Sequence, residues 1–443
     1  MADFINTIDV LGDDVVMDSI IDRTITEFKD DKITKLGTNA FSGCSQLTTV
    51  HLPNVATMYA STSSGAQFSN CSSLVDINLP SVDMLGLKCF AGCSSLPKIV
   101  LPNIINRIYA NAFNGCTNLR FVDIHKTCAI YGGSHFTNCK NLMALILRGD
   151  GLVTLGGSNC FTNTPIESGT GYIYIPGNLV NSYCNATNWS TYANQFRGII
   201  DDEDALQGII DETLVNYSNN TITEIPYRAF YEYQALKSID LPNVTNLGRG
   251  AFHQCAALET VSLPALETGD QDCFHGTAIV EISLPKANNL SVSFFNNCKS
   301  LVRASLPVLT NTIGTMIFNE CSSLTDVHVP MLEKVSVLMF NGCSSLEHID
   351  LPCVSQIASK GFLRCTNLKS ICLRSSTMCS LDNVDAFKDS SISANTGYIY
   401  TPRNLVDSYK SDAVWSAYAS QFRSLEDYTV DGTTTGELDE SKI

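Results

Sequence analysis

FSGCSQLTTVHLP (41–53), FSNCSSLVDINLP (68–80), FAGCSSLPKIVLP (90–102) and FNGCTNLRFVDIH (113–125) are one phrase written four times, and FTNCKNLMALILR (136–148) is a fifth copy. The phrase returns at Phe230, Phe252, Phe274, Phe295, Phe318, Phe340 and Phe362, and its usual period is 21–23 residues. A fixed period of that size predicts a solenoid, because one such unit cannot bury its Phe and Leu alone while a stack of them makes a continuous core. Within Leu-x-x-Ile-x-Leu the apolar residues alternate with polar ones, which is the pattern of a strand with one buried face. The Pro that follows removes a backbone donor and ends the strand. Phe-x-x-Cys suits a tight turn, and ITKLGTNAF (33–41) and ITEIPYRAF (222–230) supply a second short strand to each coil.

Phe41, Cys44, Leu47, Val50, Leu52 and Pro53 fill every slot of Phe-x-x-Cys-x-x-Leu-x-x-Ile-x-Leu-Pro, as do Phe340, Cys343, Leu346, Ile349, Leu351 and Pro352. The phrase resembles the BspA-like, or Treponema-type, class of leucine-rich repeats, over roughly residues 22–425. The resemblance implies a β-rich leucine-rich-repeat solenoid whose work is binding. Two copies depart from it. FHGTAIVEISLP at Phe274 is one residue short and lacks its Cys, and the copy at Phe230 carries Tyr233 in the Cys slot. YASTSSGAQ (59–67) lengthens one interval and reads as a bulging loop.

TGYIYIPGNLVNSYCNATNWSTYANQFRGI (170–199) and TGYIYTPRNLVDSYKSDAVWSAYASQFRSL (396–425) agree at 18 of 30 positions. Each follows a repeat array and reads as a terminal cap: a strand, a Pro, then an amphipathic helical stretch. In the first, Leu179, Val180, Tyr183, Trp189, Tyr192 and Phe196 form its apolar face. Solenoid ends need such covers. The expected organisation is an N-terminal segment (1–21) that docks or oligomerises, a first array (22–169), a first cap (170–199), an acidic joint (200–212), a second array (213–395), a second cap (396–425) and a flexible tail (426–443).

Ten of the 18 cysteines occupy the repeat slot, and Cys89, Cys160 and Cys273 sit just before a repeat Phe. Position therefore assigns them to packing, where a free thiol behaves as a small hydrophobe. No CxxC zinc pattern is present. With 44 Asp and Glu against 28 Lys and Arg, the net charge of −16 argues against nucleic acid or an anionic membrane as partner. MADFINTIDVLGDD (1–14) has acids where an export signal needs a basic start and an apolar run, and no stretch is apolar enough to span a bilayer.

The outward slots of the strands form two ladders. One reads His51, Asn78, Val100, Asp123, Ile146, then Asp240, Ser262, Ser283, Ser305, His328, Asp350, Cys372. The other reads Thr49, Asp76, Lys98, Phe121, Ala144, then Ser238, Thr260, Glu281, Arg303, Asp326, His348, Ser370. Core slots barely vary while these change from coil to coil. Asp76, Asn78, Lys98, Phe121, Asp123, Asp240, Glu281, Arg303, Asp326, His328, His348 and Asp350 are thus the candidate binding residues; the alternative is an ordinary solvated face. Stacking in register predicts a two-by-two patch, Asp326 beside His348 and His328 beside Asp350. That patch is a weak candidate for zinc or nickel or for acid–base chemistry, against two charge-cancelling cross-strand pairs. No standard catalytic signature is present.

The reading is a non-enzymatic binding protein without a cofactor. BspA-like proteins are often surface adhesins, whereas INTIDVLGDDVVMDSIIDRTITEF (5–27) and the caps resemble predicted structural proteins of phages and prophages from gut anaerobes. That resemblance implies a phage tail or fibre-associated protein engaging a host surface. Its partners would be a protein or glycan on a cell surface, or other virion proteins. A bacterial adhesin or interaction module, at the surface or in the cytoplasm, and an enzyme using the His/Asp patch are the alternatives.

Overall fold

The computed structural model describes residues 8–11, 14–17, 22–58, 65–126, 128–310, 314–427, 429–430 and 433–434. It divides into two compact units, residues 1–199 and 200–443. Each is a stack of coils in which short strands pair in parallel with the same strand of the next coil. The chain has the β-rich leucine-rich-repeat solenoid fold.

In the first unit, Glu27–Lys29, Thr49–His51 and Asp76–Asn78 form one sheet. Lys98–Leu101, Phe121–Ile124, Ala144–Leu147, Tyr172–Ile175 and Phe196–Gly198 form the next. A second, narrower sheet, Arg107–Tyr109, Ala129–Tyr131 and Thr154–Leu155, runs along another side of the same coils. In the second unit the matching strands are grouped as 216–262, 281–328 and 348–424, with narrow sheets at 224–290 and 334–381.

A column of phenylalanines fills each stack. Phe41, Phe68, Phe90, Phe113, Phe136 and Phe161 lie with centroids 5.0–5.6 Å apart and nearly parallel planes. Phe230 through Phe387 repeat the arrangement in the second unit. The turn after each Phe explains Phe-x-x-Cys. Its third residue is left-handed, as at Gly43, Asn70, Gly92, Gly115 and Asn138, and Gly and Asn tolerate that conformation best. The cysteines are free, and the ten in the repeat slot are buried. Nine of those thiols reach back one coil to the carbonyl of the preceding repeat Phe, as in Cys93 to Phe68 and Cys116 to Phe90, both 3.0 Å. The slot thus uses the thiol as a weak donor inside an apolar column.

Residues 170–199 are not one strand followed by one helix. A strand (Tyr172–Ile175) leads through a 3-10 turn to a short helix (Val180–Asn185). Ala186 is extended and breaks the helix, 3-10 turns follow at Ser190–Gln195, and Phe196–Gly198 returns as a strand beside the first. Residues 396–425 repeat this order. Of the six residues expected on the apolar face only Leu179 is not buried.

Residues 200–212 are more than a joint. Asp202 caps the helix Glu203–Ile210 by accepting from Ala205 N–H. The helix buries Ala205, Leu206, Ile209 and Ile210 at the start of the second unit. Tyr233, which stands in a Cys slot, donates its hydroxyl to Gly208 carbonyl and accepts from Leu214 N–H. The substitution therefore ties this helix to the first coil. In the tail, a 3-10 turn covers Leu425–Asp427, Thr429–Val430 pairs with Thr433–Thr434, and the remainder lies outside the described residues. Strands Ile8–Leu11 and Asp14–Met17 pair antiparallel; the rest of 1–21 and loop residues 59–64 lie outside them.

Candidate functional site

The outward ladders are built by the strand pleat. In Lys98–Leu101, Ile99 and Leu101 point into the column and Lys98 and Val100 point out. The register is direct: Lys98 pairs with Phe121 and Phe121 with Ala144, and Val100 pairs with Asp123 and Asp123 with Ile146. Lys98 nitrogen lies 5.8 Å from the Phe121 ring centroid. His51 reaches diagonally to Asp76, 2.7 Å away. Asp76, Asn78, Lys98, Asp240, Glu281, Arg303, Asp326 and His348 are exposed, and Phe121, His328 and Asp350 are partly covered. Glu281 and Arg303 form an exposed ion pair.

Three members of the ladders in the first unit are not free surface. Asp123, Ile146 and Ala144 are buried although they lie on the outward side. Asp123 accepts from Arg148 Nε at 2.9 Å and Nη2 at 3.0 Å, with His125 Nε2 3.5 Å away. The second unit repeats the device: Ser370 and Cys372 are buried, and Asp350 accepts from Arg374 Nε at 2.9 Å. Burial pushes the Asp350 carboxyl up from its ordinary value, and Arg374 pulls against it. Beyond each pair an arginine from the last strand lies over a tyrosine: Arg197 over Tyr172 at 4.0 Å, Arg423 over Tyr398 at 4.4 Å. These arginines also donate to carbonyls of their own segments.

The two-by-two patch is not assembled as a ligand set. Asp326–His328 ends one sheet and His348–Asp350 begins the next, so these two strands do not pair directly, although backbone bonds from Phe318, Glu320 and Ser345 tie the two coils elsewhere. His348 Nδ1 is 2.7 Å from Ser370 Oγ and Asp350 is held by Arg374, each turned to the following coil. Among the described residues no group of three His, Cys, Asp or Glu could hold a metal ion. Asp326 and His348 instead line a shallow cleft of about 360 Å³ with Thr325, Ser345, Glu347 and Asn367. Lys369 binds Glu347 at 2.6 Å and holds its carboxyl below the usual range.

Sequence reasoning missed Arg148 and Arg374, yet each stands where every other quoted copy but the one ending in His125 has Pro, shortly before each 30-residue segment. The second short strand expected in each coil is present, as at Ile33–Leu36 and Glu224–Ile225; what sequence reasoning missed on it is the aromatic pair Tyr109 and Tyr131, edge to face 6.0 Å apart, with Arg107 5.3 Å from the Tyr131 centroid. Among the described residues no helix is long and apolar enough to cross a membrane.

A family model described as "BspA type Leucine rich repeat region (6 copies)" matches residues 22–143, 61–188, 205–302 and 288–401. No curated protein matches the chain. Among solved structures, a leucine-rich repeat protein from Bacteroides ovatus is similar, with 20% identity over 93% of this chain and 94% of that one and a TM-score of 0.34. A leucine-rich cell surface protein from Faecalibacterium prausnitzii shares 16% identity over 93% and 95%, with a TM-score of 0.31. The pneumococcal vaccine antigen PcpA shares 15% over 94% of both chains, also with a TM-score of 0.31.

Proposed function

The chain belongs to the BspA-type leucine-rich-repeat family, and from that premise we propose that it is a non-enzymatic binding protein of a phage tail or tail fibre that holds the host cell surface. Leucine-rich-repeat architecture suits interaction or surface binding, since it offers long regular faces rather than one deep pocket. The observation that carries the proposal is a contrast along each strand. Inward slots are apolar throughout and nearly all buried, while the outward slots change from Asn78 to Val100 and from Asp240 through Ser283 to His328. A surface that varies on an unvarying frame suits recognition. The partner would be a protein or a glycan on that surface.

In this reading the two 30-residue segments are caps. The last Phe of each stack, Phe161 or Phe387, meets a Tyr edge-on, Tyr192 or Tyr418, which stops the parallel column. The test of the function is sedimentation of an induced lysate of the source organism, probed for this protein, followed by binding of purified protein to susceptible cells. Co-sedimentation with particles and decoration of cells are expected. Retention on washed, uninduced cells would replace the virion with a cell-surface adhesin, and a freely soluble protein that decorates no host would overturn both.

A further inference from the structure

We infer that the outer face of the narrow sheet in the first unit binds a sugar ring that carries a carboxylate, with Tyr131 as its stacking surface and Arg107 as the group that holds the anion. This rests on the reading of the chain as a binding protein, but it places the contact on a different sheet from the outward ladders.

One slot sets the pattern: the residue after the buried apolar residue of each narrow strand. Outside three coils it is Gly37, Gly86 and Gly156 in the first unit, and Pro226, Gly248, Asp270, Ser291, Ser336, Ala358 and Asp382 in the second. The slot is small because coils approach closely there. A Cβ added at Gly156 would lie 2.3 Å from Gly132 N, and one at Gly248 would lie 2.6 Å from Tyr227 N. Tyr59, Tyr109 and Tyr131 are the large departures; Tyr59 lies outside the described residues, and Tyr109 and Tyr131 stand in adjacent coils in direct register. Their rings fill no core: Tyr131 is 50% exposed. Tyr131 is not an isolated exposed ring: with Tyr109 edge to face and Arg107 over it, it forms a contiguous patch on adjacent strands, the kind of surface that serves ligand contact.

The neighbours give the chemistry. Arg107, Ala129 and Thr154 pair across the three strands, so Arg107 and Thr154 flank Ala129 at two strand spacings, about 10 Å. Ala129 makes a low point between them, and Tyr131, two residues on, stands on the same face. In the next coil the residue after Leu155 is Gly156, so no side chain there covers Tyr131. Arg107 is exposed, takes part in no ion pair among the described residues, and is parked on the Tyr131 ring. Asp83 in the preceding coil is occupied by the Asn106 amide at 2.9 Å. A guanidinium of this kind takes a carboxylate through two parallel hydrogen bonds. A pyranose stacks its C–H face on an aromatic ring and offers hydroxyls to Thr154 and to the tyrosine hydroxyls. A sugar acid satisfies ring, cation and hydroxyls together.

The test uses the full chain and calorimetric titration with 3′-sialyllactose, with an oligosaccharide of alternating glucuronic acid and N-acetylglucosamine, and with lactose as the neutral probe. At least one acidic sugar is expected to saturate with a dissociation constant of roughly 1 mM or tighter, and lactose to bind about fivefold more weakly or less. Y131A should abolish the signal, Y131F should keep it, and R107Q should reduce the acidic sugar to the level of lactose. Q356A, on the narrow sheet of the second unit, should change nothing, and circular dichroism should be the same for all variants. No saturable signal from either acidic sugar, or binding that survives Y131A, overturns the assignment. Cell decoration separates the two readings. Decoration without sugar binding leaves the binding role intact and removes this site. Decoration lost in Y131A without any sugar binding means that the occupant is a protein and the sugar assignment is wrong.

Discussion

At the end of the first stack, Tyr183 hydroxyl accepts from Val153 N–H at 3.1 Å and Trp189 Nε1 donates to Val153 carbonyl at 2.6 Å. At the end of the second, Tyr409 and Trp415 do the same to Cys379, at 2.6 and 2.7 Å. Two units whose outward faces share almost no side chain thus satisfy the last exposed backbone groups with the same atoms. A final coil has an unpaired edge and an uncovered core, and few side-chain pairs answer both at once. Inside the stacks the units part company. The slot before the repeat Phe is apolar or Gly throughout the second unit, from Ala229 to Ala386, whereas the first places Gln67 and His135 there.

The largest expected effect breaks the shared part. W189A should destabilise the first unit by about 3–5 kcal/mol, the usual cost of truncating a buried Trp, and W415A the second by a similar amount. Hydrogen exchange resolved along the chain, with denaturant, would read each unit separately. If either substitution left its own stack's protection within about 1 kcal/mol of the parent, the segments would not be closing the stacks.

Next in size is the acid response that distinguishes the interiors. His135 is fully buried, and neither ring nitrogen has a well-formed hydrogen bond. Burial pushes its imidazole down to about 4, and nearby carbonyls of Tyr131, Tyr109 and Gly132 pull the other way. A histidine depressed in the folded state stays neutral there while the unfolded chain takes up a proton below about 6.5. Stability of the first unit is therefore full above that pH and falls as pH drops toward 4, by about 3 kcal/mol. H135C, which copies Cys89 and Cys160 in the same slot, should remove this component. A first unit whose protection falls equally with and without His135 would show that carboxylates set the acid limit instead.

The Asp–Arg pairs test burial at one matched position. Asp123 and Arg148 are 9% and 18% exposed in their side chains, Asp350 and Arg374 27% and 24%. Removing one member of a buried pair strands the other. D123A should cost about 2–3 kcal/mol and D350A about 1–2 kcal/mol, measured as midpoints in urea. Equal costs would mean that the drier setting of Asp123 adds nothing.

The inward half of each coil was legible because a period of two inside a period of 21–23 leaves few ways to bury Val50, Leu52 and Phe41 together. The helix at Glu203–Ile210 was legible too, since Ala205, Leu206, Ile209 and Ile210 carry helical spacing, but the acids around them drew the eye to a joint. The patch at Asp326, His328, His348 and Asp350 was legible as a neighbourhood, since Asp326 and His348 line one cleft and His328 lies close enough to act on Asp350, but its hydrogen-bond partners were not. The interval from Phe318 to Phe340 is an ordinary 22 residues, so nothing marks the place where the sheet breaks. Nor does a strand pattern say that His348 will turn to Ser370 and Asp350 to Arg374. Such diagonal partners depend on side-chain length across coils, which the repeat leaves free.

The smallest effect concerns the thiol. In most coils Cys accepts nothing new from the frame: its backbone N–H already bonds to its own Phe carbonyl, and its Sγ adds a bond to the Phe carbonyl one coil earlier. Where the thiol is missing, a hydroxyl turns inward to its own coil instead, as Thr164 to Phe161, Thr277 to Phe274 and Ser390 to Phe387. These three mark coils with a shortened turn or a nearby end, so the hydroxyl and the thiol are not equivalent donors. C116A should lose the thiol's contacts and cost about 1–2 kcal/mol, and C116S should cost about as much. The shorter C–O bond draws serine back to the Phe113 carbonyl and leaves that of Phe90 with one donor fewer. If C116S were as stable as the parent, the slot would ask only for a small donor, and the preference for Cys over Ser in ten coils would need a cause other than reach.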